Sequence, residues 1–504
     1  MTTASANIAT PCSAYSEMAA RWEIIDDLIG GTQRMRDAGT KWLPTESVER
    51  PLEYQARLGR SFLYGALSDT IEKFVSKPFS KKVLVKGDLP EELEDIEEDV
   101  DLLGTSLTEF ARALLRDGLE HGLSFIFVDY SRVAEDDRDG GVSLPNKAQE
   151  REMGARPYFQ HFHSSSVIGW RSETRNGREV LTQLRVKEKR TVPDGEYGEK
   201  EVECVRLFTE EYAETFEKTG TDKEYISKGK VSHTLGRIPL VPFYVSPDGF
   251  MKATPPFEAL AWMNVRHWQL ESDLGNIIHI CCVPILHRTG ITQEDKEKGR
   301  KGREVQVGAY RIIDSTDPAA KIEYVEPTGN GVKLGQEERQ KVEAHMEILG
   351  LAPAMERTAD QTATARGIDD SNAKSSIQGW IRVLESALEN AYRIAAELAA
   401  VDLPDDFSID IFQDFGLNAR AQMTIEALHQ ARARGDLTHE SYLDGLRKVG
   451  IFDETFDVKV EVEKTKNEGP PLGLMTNLGG ARLDDGEPLP PKTPAQEARE
   501  PVAA

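Results

Sequence analysis

The chain has 504 residues, 39% hydrophobic and 29% charged, with a mean hydropathy of -0.47. This composition can bury a sizeable core, which excludes a wholly disordered chain, and no run approaches about 18 uncharged apolar residues, which excludes a transmembrane helix. With 62 basic and 86 acidic side chains the formal charge is -24, which excludes a protein that wraps nucleic acid by neutralising its phosphates.

About three domains are expected at this length, or two with long insertions. The opening MTTASANIATPCSAYSEM has neither the basic nor the apolar region of a secretory signal. Trp22, Ile25, Leu28 and Ile29 recur at helical spacing and predict a helix over Tyr15 to Gly39, interrupted at Gly30-Gly31 and ended by Trp42-Leu43-Pro44. A second helix is predicted from about Leu52 to Val75. From Asp88 to Asp101, DLPEELEDIEEDVD carries nine acids and no base. Leu93, Ile96, Val100 and Leu103 fall on one helical face beneath a solvated acidic surface, the alternative being a surface that repels a passing polyanion.

Leu107 to His121 is predicted as an amphipathic helix closed by Gly122, followed by a buried strand from Ser124 to Tyr130. A strand ending in Asp129 invites a Walker B reading, with the aspartate on magnesium. That reading requires G-x-x-x-x-G-K-[ST], which the chain lacks; in GGTQRMRDAGTK the Lys stands one place late. Asp129 is therefore expected to cap the turn that follows. Strands and turns are predicted from Tyr158 to Val245, with a tight turn at Pro193-Asp194-Gly195. His161 and His163 form an H-x-H pair able to bind metal, but no third ligand stands at a sensible spacing, so structural histidines are expected. There is no H-E-x-x-H and no G-x-S-x-G. The four cysteines, Cys12, Cys204, Cys281 and Cys282, form no C-x-x-C and are expected to be reduced thiols.

The second half is more helical. From Phe257 to Ile280, Leu260, Met263, Leu270, Leu274 and Ile277, with His267, step by three and four, defining a helix about 36 Å long. Its other side carries Trp262, Val265, Trp268 and Ile280, so it needs covering on two sides. A deep core helix and a helix held between neighbouring subunits both meet that requirement. The basic run from Lys296 to Arg303 is either an exposed loop or a docking surface for an acidic partner or for phosphates. A further helix is predicted from Leu334 to Leu349. The cleanest periodicity follows: Ile377, Ile381, Leu384, Leu388, Ala391, Ala395 and Leu398 step alternately by four and three, which suits helix-on-helix packing. Helices over Ala419–Arg434 and Thr438–Val449, the latter capped by Thr438 and stopped by Gly450, precede a tail rich in proline that is expected to be disordered.

Four segments carry a resemblance: KWLPTESVERPLEYQARLGRSFLYGALSDTIEKFVSKPFS, DGLEHGLSFIFVDY, IPLVPFYVSPDGFMKATPPFEALAWMNVRHWQLESDLGNIIHICCVPIL and TATARGIDDSNAKSSIQGWIRVLESALENAY. In this order and spacing they resemble a family of tailed-bacteriophage portal proteins, catalogued as a domain of unknown function, from about Trp22 to Lys464. The resemblance implies an α+β portal-type fold: wing 1–256, first stem helix 257–280, clip 281–327, second stem helix 328–349, tunnel loop 350–366, long kinked helix and return to the wing 367–415, helical crown 416–464 and disordered tail 465–504. It implies a ring, dodecameric in the family, at one capsid vertex of the virion, assembled in the host bacterial cytoplasm. Double-stranded DNA would be packaged and ejected through its channel. The implied partners are other copies of the chain, the terminase large subunit, head-tail adaptor proteins and the major capsid protein, with no membrane, cofactor, metal or catalytic residue. Lys296, Lys298, Arg300, Lys301 and Arg303 would be clip surface; Met355, Arg357, Thr358 and Gln361 would face DNA from the tunnel loop. Leu260, Met263, Leu270, Leu274, Ile277, Ile381, Leu384 and Leu388 are expected to pack helices or subunits. The rival readings are a terminase-like packaging enzyme and a capsid-associated adaptor or scaffold that never meets DNA.

Overall fold

The computed structural model describes residues 7–131, 135–136, 142–143, 155–218, 224–233, 235–281, 285–288, 322–325, 330–350, 363–413, 418–448 and 458–468. The fold is α+β, in two compact units, Met1–Phe415 and Gly416–Ala504.

In the first unit, α1 (Ser13–Ile29) and α2 (Gly31–Ala38) meet at the predicted Gly30-Gly31 interruption, where Gly31 takes φ 74°. Beyond them, α3 (Pro51–Arg60) and α4 (Ala66–Ser76) replace the single helix expected over Leu52 to Val75. Tertiary bonds make that break. Arg36 donates to the Ser61 carbonyl at 2.8 Å, and Thr32 Oγ1 accepts from Leu63 N at 3.2 Å. Buried Asn264 donates to Tyr64 O at 2.8 Å and accepts from Leu67 N at 3.1 Å. Backbone groups satisfied from outside no longer need a helix.

The short strand β1 (Leu84–Lys86) precedes α5 (Glu91–Glu94), the one α-helical turn formed within the acidic stretch. Leu93, Ile96 and Val100 are buried as expected, but Leu103 is 86% exposed. Leu102 takes φ 64°, and the Asp99 and Asp101 carboxylates accept from Gly104 N at 2.8 Å and Leu103 N at 2.9 Å. These acids bend the backbone rather than coat a helix.

Helix α6 (Leu107–His121) has the predicted bounds. Ser106 Oγ accepts from Glu109 N at 3.3 Å, and Gly122 ends the helix at φ 91°. A Cβ at Gly122 would stand 2.4 Å from Thr254 O, so the chain passes too close for any side chain.

Strand β2 (Leu123–Tyr130) follows, then the small pair β3 (Glu135–Asp136) and β4 (Val142–Ser143), and β5 (Pro157–Phe162). β6 (Val167–Arg175), β7 (Arg178–Asp194), β8 (Gly198–Thr209), β9 (Tyr212–Lys218) and β10 (Tyr225–Ser232) make an antiparallel meander, with the predicted turn leading from β7 to β8. β11 (Leu240–Tyr244) joins a separate antiparallel sheet of order β11-β2-β5. Along β2, Ile126 and Val128 enter one core with Phe159, Phe243 and Tyr392, while Leu123, Phe125 and Phe127 enter a second with Trp22, Phe162 and Phe208. Alternate residues serve two cores, so the strand is apolar without interruption.

The remaining elements of this unit are α7 (Glu258–Cys281), β12 (Ile285–Arg288), β13 (Ile322–Val325), α8 (Asn330–Leu349), α9 (Ala363–Ala399) and β14 (Ser408–Asp410), which pairs with β1. Ile377, Ile381, Leu384, Leu388, Ala391 and Ala395 are at most 3% exposed, and Leu398 is partly buried. α9 lays this stripe across β11, β2 and β5, so the partner is a sheet where the heptad predicted another helix. A single apolar stripe has the same spacing whichever element covers it.

The second unit holds α10 (Asn418–Arg434), α11 (His439–Lys448) and α12 (Val458–Glu468), with α11 packed on both others. Thr438 Oγ1 accepts from Ser441 N at 3.2 Å, as the predicted cap requires. α12 extends into the first residues assigned to the tail. Gly450 and the rest of the proline-rich tail lie outside the described residues.

Candidate functional site

Helices α7 and α8 lie against each other, and the chain between them contributes the antiparallel pair β12–β13, with Ile285 opposite Val325 and Arg288 opposite Ile322. Arg266 pairs with Glu338 at 2.6 Å, Arg339 with Glu271 at 3.2 Å, and His267 Nε2 lies 3.2 Å from Glu343. Leu260 and Leu274 are buried, as are Val265 and Trp268 on the other side, while Met263 and Leu270 are partly buried. Trp262 remains 54% exposed with its ring edge-on to Trp42, and Ile277 and Ile278 are 40% and 37% exposed. α7 thus buries apolar residues of both sides in its own chain, while Trp262 near its start and Ile277 and Ile278 near its end keep apolar surface exposed to solvent.

A polar cluster lies where α6 meets the end of β5. Asp117, 2% exposed, sits one turn before His121, and its Oδ1 lies 2.7 Å from His121 Nδ1. Its Oδ2 accepts from Ser164 N at 3.1 Å and lies 3.4 Å from His161 Nε2. His163 Nδ1 is 3.8 Å from Oδ1, and the rings of His161 and His163 stand 4.2 Å apart. His121 Nε2 reaches Asp26 at 3.0 Å. Burial alone would raise the Asp117 carboxyl, but hydrogen bonds from His121, His161 and His163 outweigh it and hold the group well below the usual carboxylate range. For His121, burial favours the neutral ring, yet the bonds to Asp117 and Asp26 push its pKa up to about 10. The hydrogen bond to Asp117 also raises His163, against a smaller opposing effect of burial. In the sequence the H-x-H pair stands without a third ligand at a sensible spacing. The fold supplies Asp117, and one ligand atom from each of the three residues lies within 4.8 Å of the others.

Asp129 serves local structure. Its Oδ1 accepts from Tyr130 N at 2.9 Å and its Oδ2 from the Tyr158 hydroxyl at 3.3 Å. It lines a cavity of ≈ 470 Å³ with Phe127, Arg206, Phe208 and His233. Lys296, Lys298, Arg300, Lys301 and Arg303, and Met355, Arg357, Thr358 and Gln361, lie outside the described residues. Ile381, Leu384 and Leu388 are core residues of their own chain.

Residues 256–399, which span α7 to α9, match the model of a family described as a domain of unknown function, DUF4055. The resemblance seen in the sequence likewise pointed to a family catalogued in that way. Among solved structures, the chain is similar to one in the neck of a native gene transfer agent particle computed with C12 symmetry, at 11% identity and a TM-score of 0.40, covering 76% of this chain and 88% of that one. It is also similar to a chain in the virion of a native gene transfer agent particle, at 10% identity and a TM-score of 0.40, with 76% and 88% covered. No curated protein matches.

Proposed function

We propose that this protein is a portal-type connector, copies of which close into a ring at a capsid vertex and leave a channel for double-stranded DNA. The observation that carries this reading is the arrangement within 256–399: two helices packed together, a small strand pair between them in sequence, and a long helix running into the core. Such an arrangement supports a stem of α7 and α8, a clip around β12–β13, and α9 as the return to the wing. Exposed Trp262, Ile277 and Ile278 support a helix whose outer side meets a neighbouring copy, because apolar surface grouped on one element marks an interaction site. A formal charge of -24 on each copy supports a wall along which a polyanion passes without being held.

In this reading Lys296, Lys298, Arg300, Lys301 and Arg303 form the clip surface that meets the terminase large subunit and adaptor proteins. Met355, Arg357, Thr358 and Gln361 belong to the tunnel loop, and 416–464 forms the crown. No catalytic step is assigned. Negative-stain images of the purified protein should show closed rings with a central hole. A strict monomer at every concentration, measured by mass photometry and light scattering, would overturn the reading.

A further inference from the structure

We propose that Asp117, His161 and His163 form a binding site for a divalent transition-metal ion of the zinc class. The residues come from two elements and the turn after one of them, so only the fold brings them together. Donor atoms about 2.0–2.1 Å from a tetrahedral ion lie about 3.3–3.4 Å apart. His161 Nε2 lies 3.4 Å from one Asp117 oxygen and His163 Nδ1 3.8 Å from the other, and one donor atom from each residue lies within 4.8 Å of the others, so side-chain movements would close the set on an ion. Two imidazoles and one carboxylate suit zinc, cobalt or nickel and leave a position for water, whereas calcium and magnesium prefer oxygen donors alone.

The surroundings favour an ion. The His163 side chain is 65% exposed and gives a path from solvent, while that of Asp117 is 2% exposed and fixed. Ser164 N and His121 Nδ1 both hold the Asp117 carboxylate, and Asp26 holds His121 in turn, the outer-shell support that orients a ligand. Ser124 Oγ, 2.8 Å from His161 Nε2, would give up that contact to the ion.

The test uses the full chain, stripped with EDTA and titrated calorimetrically with zinc chloride, then with cobalt chloride while visible absorption is recorded. One saturable site per chain is expected, with cobalt bands of a four- or five-coordinate ion. His163→Gln, at an exposed position, should keep the wild-type circular dichroism and weaken zinc binding at least about tenfold. His161→Gln should do the same, and His439→Gln in the second unit should change nothing. Absence of saturable zinc binding by the wild type, or affinity unchanged in His163→Gln, would overturn the proposal.

Discussion

Replacing His121 with Gln should remove a specific loss of stability at alkaline pH. The imidazole has an ordinary value of 6.5 and is held at about 10 in the folded chain, because its bonds to Asp117 and Asp26 outweigh burial. Between those values the folded state keeps a proton that the unfolded state has released. Unfolding free energy therefore falls with rising pH by about 1.4 kcal/mol per unit from this group. The contribution is fully present below the ordinary histidine value and gone above the folded one, about 5 kcal/mol across the interval for a pair this tightly coupled. Asp117 works in the opposite direction: its contribution is present above 3.8 and is lost as pH falls through its depressed folded value. Glu120 also faces the cluster, raised by its own burial. Urea unfolding followed by tryptophan fluorescence at pH 7, 8 and 9, with EDTA present, measures the effect. The stability gap between wild type and His121→Gln should shrink by about 1.4 kcal/mol for each pH unit. Parallel curves over that range would refute a charged His121 in the folded core.

Other outcomes are equally specific. Asn264→Ala should cost about 1–3 kcal/mol by leaving Leu67 N–H unpaired between α4 and α7, seen as a lower urea midpoint. Gly122→Ala should cost about 1–3 kcal/mol and lower the thermal midpoint, since alanine must take φ 91° against Thr254 O; an unchanged midpoint would show that the loop yields freely. Leu388→Asp should abolish folding, and not merely assembly, because the carboxylate would enter the core of its own chain; native circular dichroism in this variant would contradict that placement. Ile278→Asp, at a 37% exposed position, should leave circular dichroism intact but sharply reduce ring yield. An unchanged yield would remove the end of α7 from the subunit contact.

What the sequence by itself determined is what its neighbours a few positions away control. The bounds of α6 follow from Ser106 and Gly122, the α1–α2 interruption from paired glycines, the start of α11 from Thr438, and the buried face of α9 from its repeating apolar residues. Helix caps and side-chain periodicity act over one or two turns, so they are legible without a fold. Tertiary structure alone decided the rest. The break between α3 and α4 depends on Asn264, about two hundred positions away, and the face of α9 has the same spacing whether a helix or a sheet covers it. The H-x-H pair could be read as a motif, but its third member, Asp117, stands 44 positions from His161 and arrives only when α6 packs beside β5. Contacts across elements are set by how cores close, and a linear spacing carries no record of that closure.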